Sequence, residues 1–300
     1  VLIEEYPLFQ YQPYELALSS KMVEVVEKHK LEVLHVHYAI PHAYAAFMAK
    51  QMLKEKGIAI KVVTTLHGTD ITLVGSHPTY KTAVEFSINN SDVVTAVSNN
   101  LKKTTNSLFN INKEIKVIYN FIDVKKYDVA EHQECKRSAL AEPNERILTH
   151  ISNFRPVKRV EDVVKIFYKV QKEIPSKLLM IGEGPDRAKA ERLAKKLGIS
   201  ESVFFLGNST EITKILCYTD VFLLPSQTES FGLAALEAMA AKTAIISTNT
   251  GGLPEVNIHG ETGFLSELGD VEDMAKNAIS ILKENATLNR FKQNAKEHTK

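Results

Sequence analysis

Short apolar runs bounded by turn residues alternate with longer helical patterns along the whole chain, and this alternation limits the fold more than any other feature. Strand-like runs fall at 32–38, 61–67, 93–98 and 116–121, then at 147–152, 177–181, 203–206, 221–225, 244–247 and 263–265. Helical patterns lie near 13–29, 40–56, 77–90 and 99–109, then near 159–173, 185–197, 209–218, 232–241 and 270–283. Strand–helix alternation of this kind gives an α/β protein with parallel sheets covered by helices on both faces. The apolar stretch Val221-Phe222-Leu223-Leu224 suits a strand buried on both sides.

Between 123 and 146 the apolar period lapses into polar, charge-dense sequence, with a helix of its own expected near 132–140. The 300 residues are enough for two domains. The expected division is a first Rossmann-like domain at 1–121, a linker and domain entry at 122–145, and a second Rossmann-like domain at 146–300. Two doubly wound domains in tandem are expected to face each other across a cleft at the C-terminal ends of their strands. The opening Val1-Leu2-Ile3-Glu4-Glu5 reads like a strand entered midway, so the first domain is expected to be incomplete.

Composition removes several function classes. Lys and Arg number 37 against 36 Asp and Glu, a net charge of +1, so no chain-wide positive field favours nucleic acid or acidic membranes. No run approaches the roughly 20 apolar residues of a membrane span. Two cysteines, Cys135 and Cys217, are too few for a disulfide scaffold or a four-cysteine zinc site. A cytoplasmic protein is expected.

The densest functional pattern is Pro225-Ser226-Gln227-Thr228-Glu229-Ser230-Phe231-Gly232-Leu233, followed by a helical Ala234-Ala235-Leu236-Glu237-Ala238-Met239-Ala240. A strand ends at Pro225 and a helix starts near Phe231 or Gly232, with Ser230 as the expected N-cap. Unpaired N–H groups at a helix start favour an anion. Glu229 and Glu237 fit a sugar and a ribose; the same pattern is met by a solvent-facing Glu229 and a Glu237 paired with a surface lysine.

Arg155 and Lys158 follow the strand that ends at Ser152, around the turn at Pro156. A diphosphate there would gain about 4 kcal/mol per close charge pair at an effective dielectric near 20; an ordinary basic loop capping the next helix is the alternative. Ile181-Gly182-Glu183-Gly184 and Thr250-Gly251-Gly252 are glycine-bearing loops after strands, but neither is a dinucleotide fingerprint or a P-loop. In the first half, Thr65, His67 and Asp70 close a strand, and His67 fits either a sugar hydroxyl or a structural hydrogen bond. Alternation puts His35 and His37 on one strand face, yet no carboxylate or cysteine stands beside them at a metal-ligand spacing. There is also no Asp-x-Asp to clamp a divalent metal on a nucleotide.

The two glutamates flanking Ser230–Leu236, the Arg155/Lys158 pair and the Gly251-Gly252 loop resemble the retaining glycosyltransferases of family 4, which have the GT-B fold. The resemblance runs over nearly the whole chain. A narrower set is Gln10-Tyr11-Gln12-Pro13-Tyr14, His35–Ala43, Thr64–Thr72, Tyr119-Asn120-Phe121-Ile122-Asp123 and His150–Arg155. It is similar to those family members that glycosylate L-malate in bacillithiol biosynthesis. The resemblance implies UDP-N-acetylglucosamine as donor substrate, L-malate as acceptor bound by the first domain, retention of the α configuration, and neither cofactor nor metal.

Carried over by residue, it implies that Glu237 holds the uridine ribose and that Glu229 lies near the donor sugar. The backbone of Ser230, Phe231, Gly232 and Leu233, with Gly182, lies near sugar and diphosphate. Arg155 and Lys158 bind the diphosphate, His67 the sugar's 6-hydroxyl, and Tyr38, Thr65 and Asn153 the malate. The family also has a Gly-rich loop after its opening strand and a last helix that crosses back to the first domain. Both are expected to be absent between Val1 and Lys300, which puts catalysis by these residues alone in doubt. Other readings stay open: a different acceptor (inositol phosphate, lipid or polysaccharide), UDP-N-acetylglucosamine 2-epimerisation, or a non-catalytic sugar-nucleotide-binding module. A homo-oligomer is compatible with the sequence.

Overall fold

The computed structural model describes residues 13–127, 137 and 140–299. The opening 1–5 lies outside the described residues, as does the helix expected near 132–140 except for Arg137 and Leu140. The chain divides into two compact units, Val1–Tyr119 and Asn120–Lys300.

In the first unit, α1 (Tyr14–His29) leads into β1 (Val33–His37), followed by α2 (Tyr44–Glu55), β2 (Lys61–Leu66), α3 (Pro78–Asn89), β3 (Val93–Ala96), α4 (Asn99–Leu108) and β4 (Ile115–Val117). The four strands are parallel in the order β1-β2-β3-β4. Ala45, Ala46, Ala49 and Leu53 form the buried stripe of α2, which is why a run of small residues can bring that helix close to α1 and the sheet. Val23, Val26, Leu34, Val36 and Val62 complete this core. Ser98 caps α4 by accepting from the Leu101 N–H at 3.0 Å.

The second unit contains β5 (Arg146–Ile151), α5 (Val160–Gln171), β6 (Ser176–Ile181), α6 (Arg187–Lys196), β7 (Val203–Gly207), α7 (Ile212–Tyr218) and β8 (Val221–Leu224). It continues with α8 (Leu233–Ala240), β9 (Ala244–Thr248), β10 (Gly263–Ser266), α9 (Val271–Leu282) and α10 (Asn285–His298). Its six parallel strands run in the order β10-β9-β8-β5-β6-β7. Every residue of β8 and β9 is buried, as strands covered on both faces require. Val163, Phe167 and Val170 of α5 pack with Leu148, Leu178 and Leu223 of the sheet; each such side chain contributes about 1.5–3 kcal/mol by leaving water.

The strand order reverses between β5 and β8, which is the doubly wound order in which ligands bind at the reversal. Sequence periodicity missed α10. Only Leu288, Phe291 and Ala295 of that helix are buried, and they lie against α8 and β9, so its apolar stripe is too thin to stand out from its polar face.

Candidate functional site

Pairing between β5 and β8 is confined to Leu148–Val221 and Thr149–Phe222. Just beyond, the fully buried His150 bridges the two strands: its ring Nδ1 lies 2.8 Å from the Leu223 carbonyl oxygen and its Nε2 2.8 Å from Ser152 Oγ. A carbonyl only accepts, so Nδ1 carries the proton and Nε2 accepts from the serine hydroxyl. Ser152 Oγ in turn accepts from the Phe154 N–H at 3.2 Å, which fixes the start of the loop after β5. Burial lowers the His150 pKa to about 4, with the Lys158 charge acting in the same direction against the bond to Leu223, so the ring is neutral.

Two loops leave the strands at this point, and an ion pair joins them. Lys158 Nζ lies 2.5 Å from Glu229 Oε1, with the two side chains 20% and 15% exposed. Ser226 Oγ donates to the same carboxylate oxygen at 2.9 Å, and the Gln227 N–H donates to the Val157 carbonyl at 2.8 Å. Glu229 is therefore turned inward rather than toward solvent. Arg155 is exposed and ion-paired with none of the described residues.

Glycines set this loop at close range. A Cβ on Gly251 would stand 2.1 Å from the Glu229 carbonyl oxygen, and the Gly252 N–H donates to that oxygen at 2.8 Å. A Cβ on Gly182 would stand 1.7 Å from the Ser152 carbonyl oxygen, so Gly182 is explained by packing against the loop after β5.

One expectation needs correcting. Ser230 does not cap α8: the N-cap is Gly232, whose φ of 103° turns the chain into a helix that begins at Leu233, with no side-chain cap. Ser230 stands two residues before that turn. Phe231 is buried and Leu233 exposed, and the first N–H groups of α8 have no partner within the helix.

Glu237 sits one turn into α8. A 3-10 turn (Val124–Tyr127) packs on that helix. Burial raises the Glu237 carboxyl, and the nearby Tyr127 phenol opposes the rise. Burial and the neighbouring carboxylate push the Tyr127 phenol up to about 12. Among the described residues Glu237 is ion-paired with no lysine, so the surface pair that the pattern also allowed does not form.

In the first unit, Tyr38, Thr65 and His67 lie together where β1 and β2 end. Tyr38 adopts φ 78° and its ring lies 5.1 Å from that of His67. The Thr65 hydroxyl stands between His35 Nε2 at 2.8 Å and Thr95 Oγ1 at 2.7 Å, which leaves it little capacity for a ligand. His37 Nδ1 and His67 Nε2 are 2.7 Å apart; burial first, then neighbouring histidines, lower both rings, so both are neutral at pH 7. Asp70, buried, accepts from the N–H groups of Ala39 and Gly68 and ties the two strand ends together. His35 and His37 do share a face, with stacked rings 4.8 Å apart, but the described residues contain no group of three or more His, Cys, Asp or Glu able to hold a metal. Asn153 is exposed in the second unit, on the loop after β5.

Sequence reasoning missed His150, Ser226 and Tyr127. Ser226 was within reach, three residues before Glu229 in the same loop. His150 acts on partners far away in sequence, and the turn that ends at Tyr127 packs on a helix far beyond it; no local pattern marks either.

The family described as "Glycosyl transferases group 1" matches residues 132–298, and "Glycosyltransferase Family 4" matches residues 2–126. The chain is 47% identical over 297 residues to the N-acetyl-alpha-D-glucosaminyl L-malate synthase of Bacillus anthracis, covering 99% of this chain and 77% of that protein. It is 27% identical to the D-inositol 3-phosphate glycosyltransferase of Mycobacterium ulcerans over 57% of this chain and 38% of that one. Among solved structures, Anabaena HepE in complex with UDP has a TM-score of 0.80 at 20% identity, covering 94% of this chain and 77% of that one. A Rickettsia africae glycosyltransferase has a TM-score of 0.78 at 21% identity, covering 99% and 79%. With two Rossmann-like parallel sheets of the GT-B class, the chain belongs to the family 4, group 1 glycosyltransferases.

Proposed function

We propose that this protein is a retaining hexosaminyltransferase that moves N-acetylglucosamine from UDP-N-acetylglucosamine to the hydroxyl of L-malate, the first step of bacillithiol biosynthesis. The observation that carries the donor half is the Lys158–Glu229 pair across the β5/β8 reversal, with Arg155 exposed on the same loop. The 47% identity to a malate synthase supports the acceptor half.

In this reading the donor diphosphate takes Lys158 from Glu229 and adds Arg155 and the start of α8. A guanidinium can clamp two phosphate oxygens, while the ammonium acts as a point charge. Glu229, still held by Ser226, then faces the hydroxyls of the donor sugar, and Glu237 accepts from the ribose. As the anomeric C–O bond breaks, negative charge grows on the departing β-phosphate oxygen, where these fixed cations act most strongly. The malate hydroxyl attacks C1 from the face that UDP leaves, and its proton passes to the departing phosphate oxygen. The new bond therefore keeps the α configuration.

On the first unit, His67 is offered to a sugar hydroxyl and Tyr38 to malate, while Thr65, already held by His35 and Thr95, supports these strand ends rather than binding malate; on the second unit Asn153 is exposed to an acceptor. Side-chain cations supply the charge, so turnover is proposed to be metal-independent, in the cytoplasm. The test is UDP release by the full-length protein, measured with UDP-N-acetylglucosamine and a panel of acceptors. Release that depends on L-malate, with an α-linked product, is expected. Release that needs inositol phosphate instead, or UDP-N-acetylmannosamine formed without any acceptor, overturns it.

A further inference from the structure

We propose that Glu229 makes this site discriminate between substrate and product: it competes with a diphosphate for Lys158, and only the hydroxyls of a sugar still attached to the nucleotide replace the contact it gives up. The inference rests on the donor reading above and adds to it a preference for the nucleotide sugar over the free nucleotide.

The carboxylate is held on its own loop without help from the lysine. Ser226 Oγ donates to Glu229 Oε1 at 2.9 Å, and the Ser226 carbonyl accepts from the Thr248 hydroxyl at 2.6 Å. Ser226 and Thr248 are both fully buried. The Gly252 N–H donates to the Glu229 carbonyl at 2.8 Å, which fixes the backbone as well. Lys158 comes to this carboxylate from the other loop, with 2.5 Å between Nζ and Oε1, and among the described residues it is ion-paired with Glu229 alone. A lysine on its flexible stem can swing to a phosphate; the tethered carboxylate cannot follow it.

A phosphate that takes Lys158 therefore leaves behind a carboxylate only 15% exposed, still bonded to Ser226 but without its counter-charge. Such a group is destabilising unless new donors reach it. In UDP-N-acetylglucosamine the sugar hydroxyls are those donors. UDP has none, and its terminal phosphate is more highly charged than the same phosphate esterified to a sugar, so it adds repulsion between like charges. The apparent affinity for UDP falls with the fraction of time that Glu229 withholds the ammonium. Once the sugar has left with the acceptor, Glu229 recovers Lys158 and the diphosphate is loosened.

Glutamine keeps the size and hydrogen bonding of Glu229 and removes its charge. Binding of UDP and of UDP-N-acetylglucosamine, without acceptor, is measured by calorimetry for the full-length wild type, Glu229→Gln and Lys158→Ala, with thermal melting to confirm that each variant folds. In Glu229→Gln, UDP should bind about three- to tenfold more tightly and UDP-N-acetylglucosamine no more tightly, so the preference for the donor shrinks by the same factor or more. A loop that was merely disturbed would lose affinity rather than gain it. Should Glu229→Gln fail to fold, the wild type decides: the nucleotide sugar bound more tightly than UDP supports the discrimination, and UDP bound at least as tightly overturns it. If Lys158→Ala weakens UDP while a folded Glu229→Gln binds UDP no better than wild type, the competition is overturned and the donor site stands. If Lys158→Ala leaves both ligands unchanged, the diphosphate is not held there, and this inference falls with that reading.

Discussion

Lys158 and Glu229, on which the proposed donor chemistry rests, are 71 residues apart. Each was legible alone, from its place after a strand; their pairing was not, because sequence carries no sign of which loops the reversal brings together. Both side chains keep some solvent contact, so removing one partner costs less than the 3–5 kcal/mol of a fully buried pair, about 1–3 kcal/mol. Lys158→Ala should therefore fold, yet lose about 10²–10³ in turnover, because it removes a preorganised charge that acts on the leaving group. Steady-state UDP release, with circular dichroism to confirm folding, reads both effects.

His150 makes a different prediction at the same scale. Its folded pKa, about 4, lies below the ordinary histidine value of 6.5. Below the ordinary value the unfolded chain takes up a proton that the native ring refuses. Stability from this group is thus complete above pH 6.5 and is lost as pH falls toward 4, by roughly 3 kcal/mol in all. Urea unfolding from pH 7 to 5 should show the wild type losing stability faster than His150→Asn, which starts lower but has no ring to titrate. Parallel slopes would show that the buried imidazole is not the linked group.

Among the elements, the strands were legible because each is a short apolar run, and β8, buried along its whole length, was the clearest. Helix ends were less so. Ser230 has the chemistry of an N-cap, but the left-handed turn at Gly232 moved the helix start past it, a backbone choice that residue preference alone does not reveal. In place of the expected stretch 116–121 the strand is Ile115–Val117: β3 ends at Ala96, which is paired with Val117 and whose carbonyl takes the Ile118 N–H at 3.0 Å, so the ladder stops there.

The loop after β8 depends on Gly251. Its Cβ would stand 2.1 Å from the Glu229 carbonyl oxygen, in a backbone with φ 58°. Gly251→Ala must displace that loop; a loss of about 2 kcal/mol or more in thermal or urea unfolding is expected, together with weaker UDP binding. Gly198, with φ 74° and nothing near its Cβ, is the control: Gly198→Ala should leave UDP affinity unchanged.

At the scale of the molecule, the strand order β10-β9-β8-β5-β6-β7 explains why chemistry gathers where it does. Doubly wound sheets bind ligands at such a reversal, and here the loops after β5 and β8 meet there through the Lys158–Glu229 pair and the Gln227–Val157 hydrogen bond. The net charge of +1 gives no chain-wide field, so the proposed diphosphate site rests on the individual cations Arg155 and Lys158. Fold class and the two-sheet architecture were readable from alternation alone. The supporting contacts of His150 and the packing of the turn at Tyr127 were not, since they appear only once distant segments meet.

The proposed mechanism takes its leaving-group charge from lysine, arginine and a helix start, so adding EDTA should leave malate-dependent UDP release within about twofold; abolition restored by a divalent cation would show that the charge comes from elsewhere. The most direct measurement is a crystal structure of the full-length protein with UDP. The diphosphate should lie against Lys158 and Arg155, with the ribose hydroxyls on Glu237. A nucleotide bound anywhere other than the β5/β8 reversal would contradict the donor site on which the proposed reaction depends.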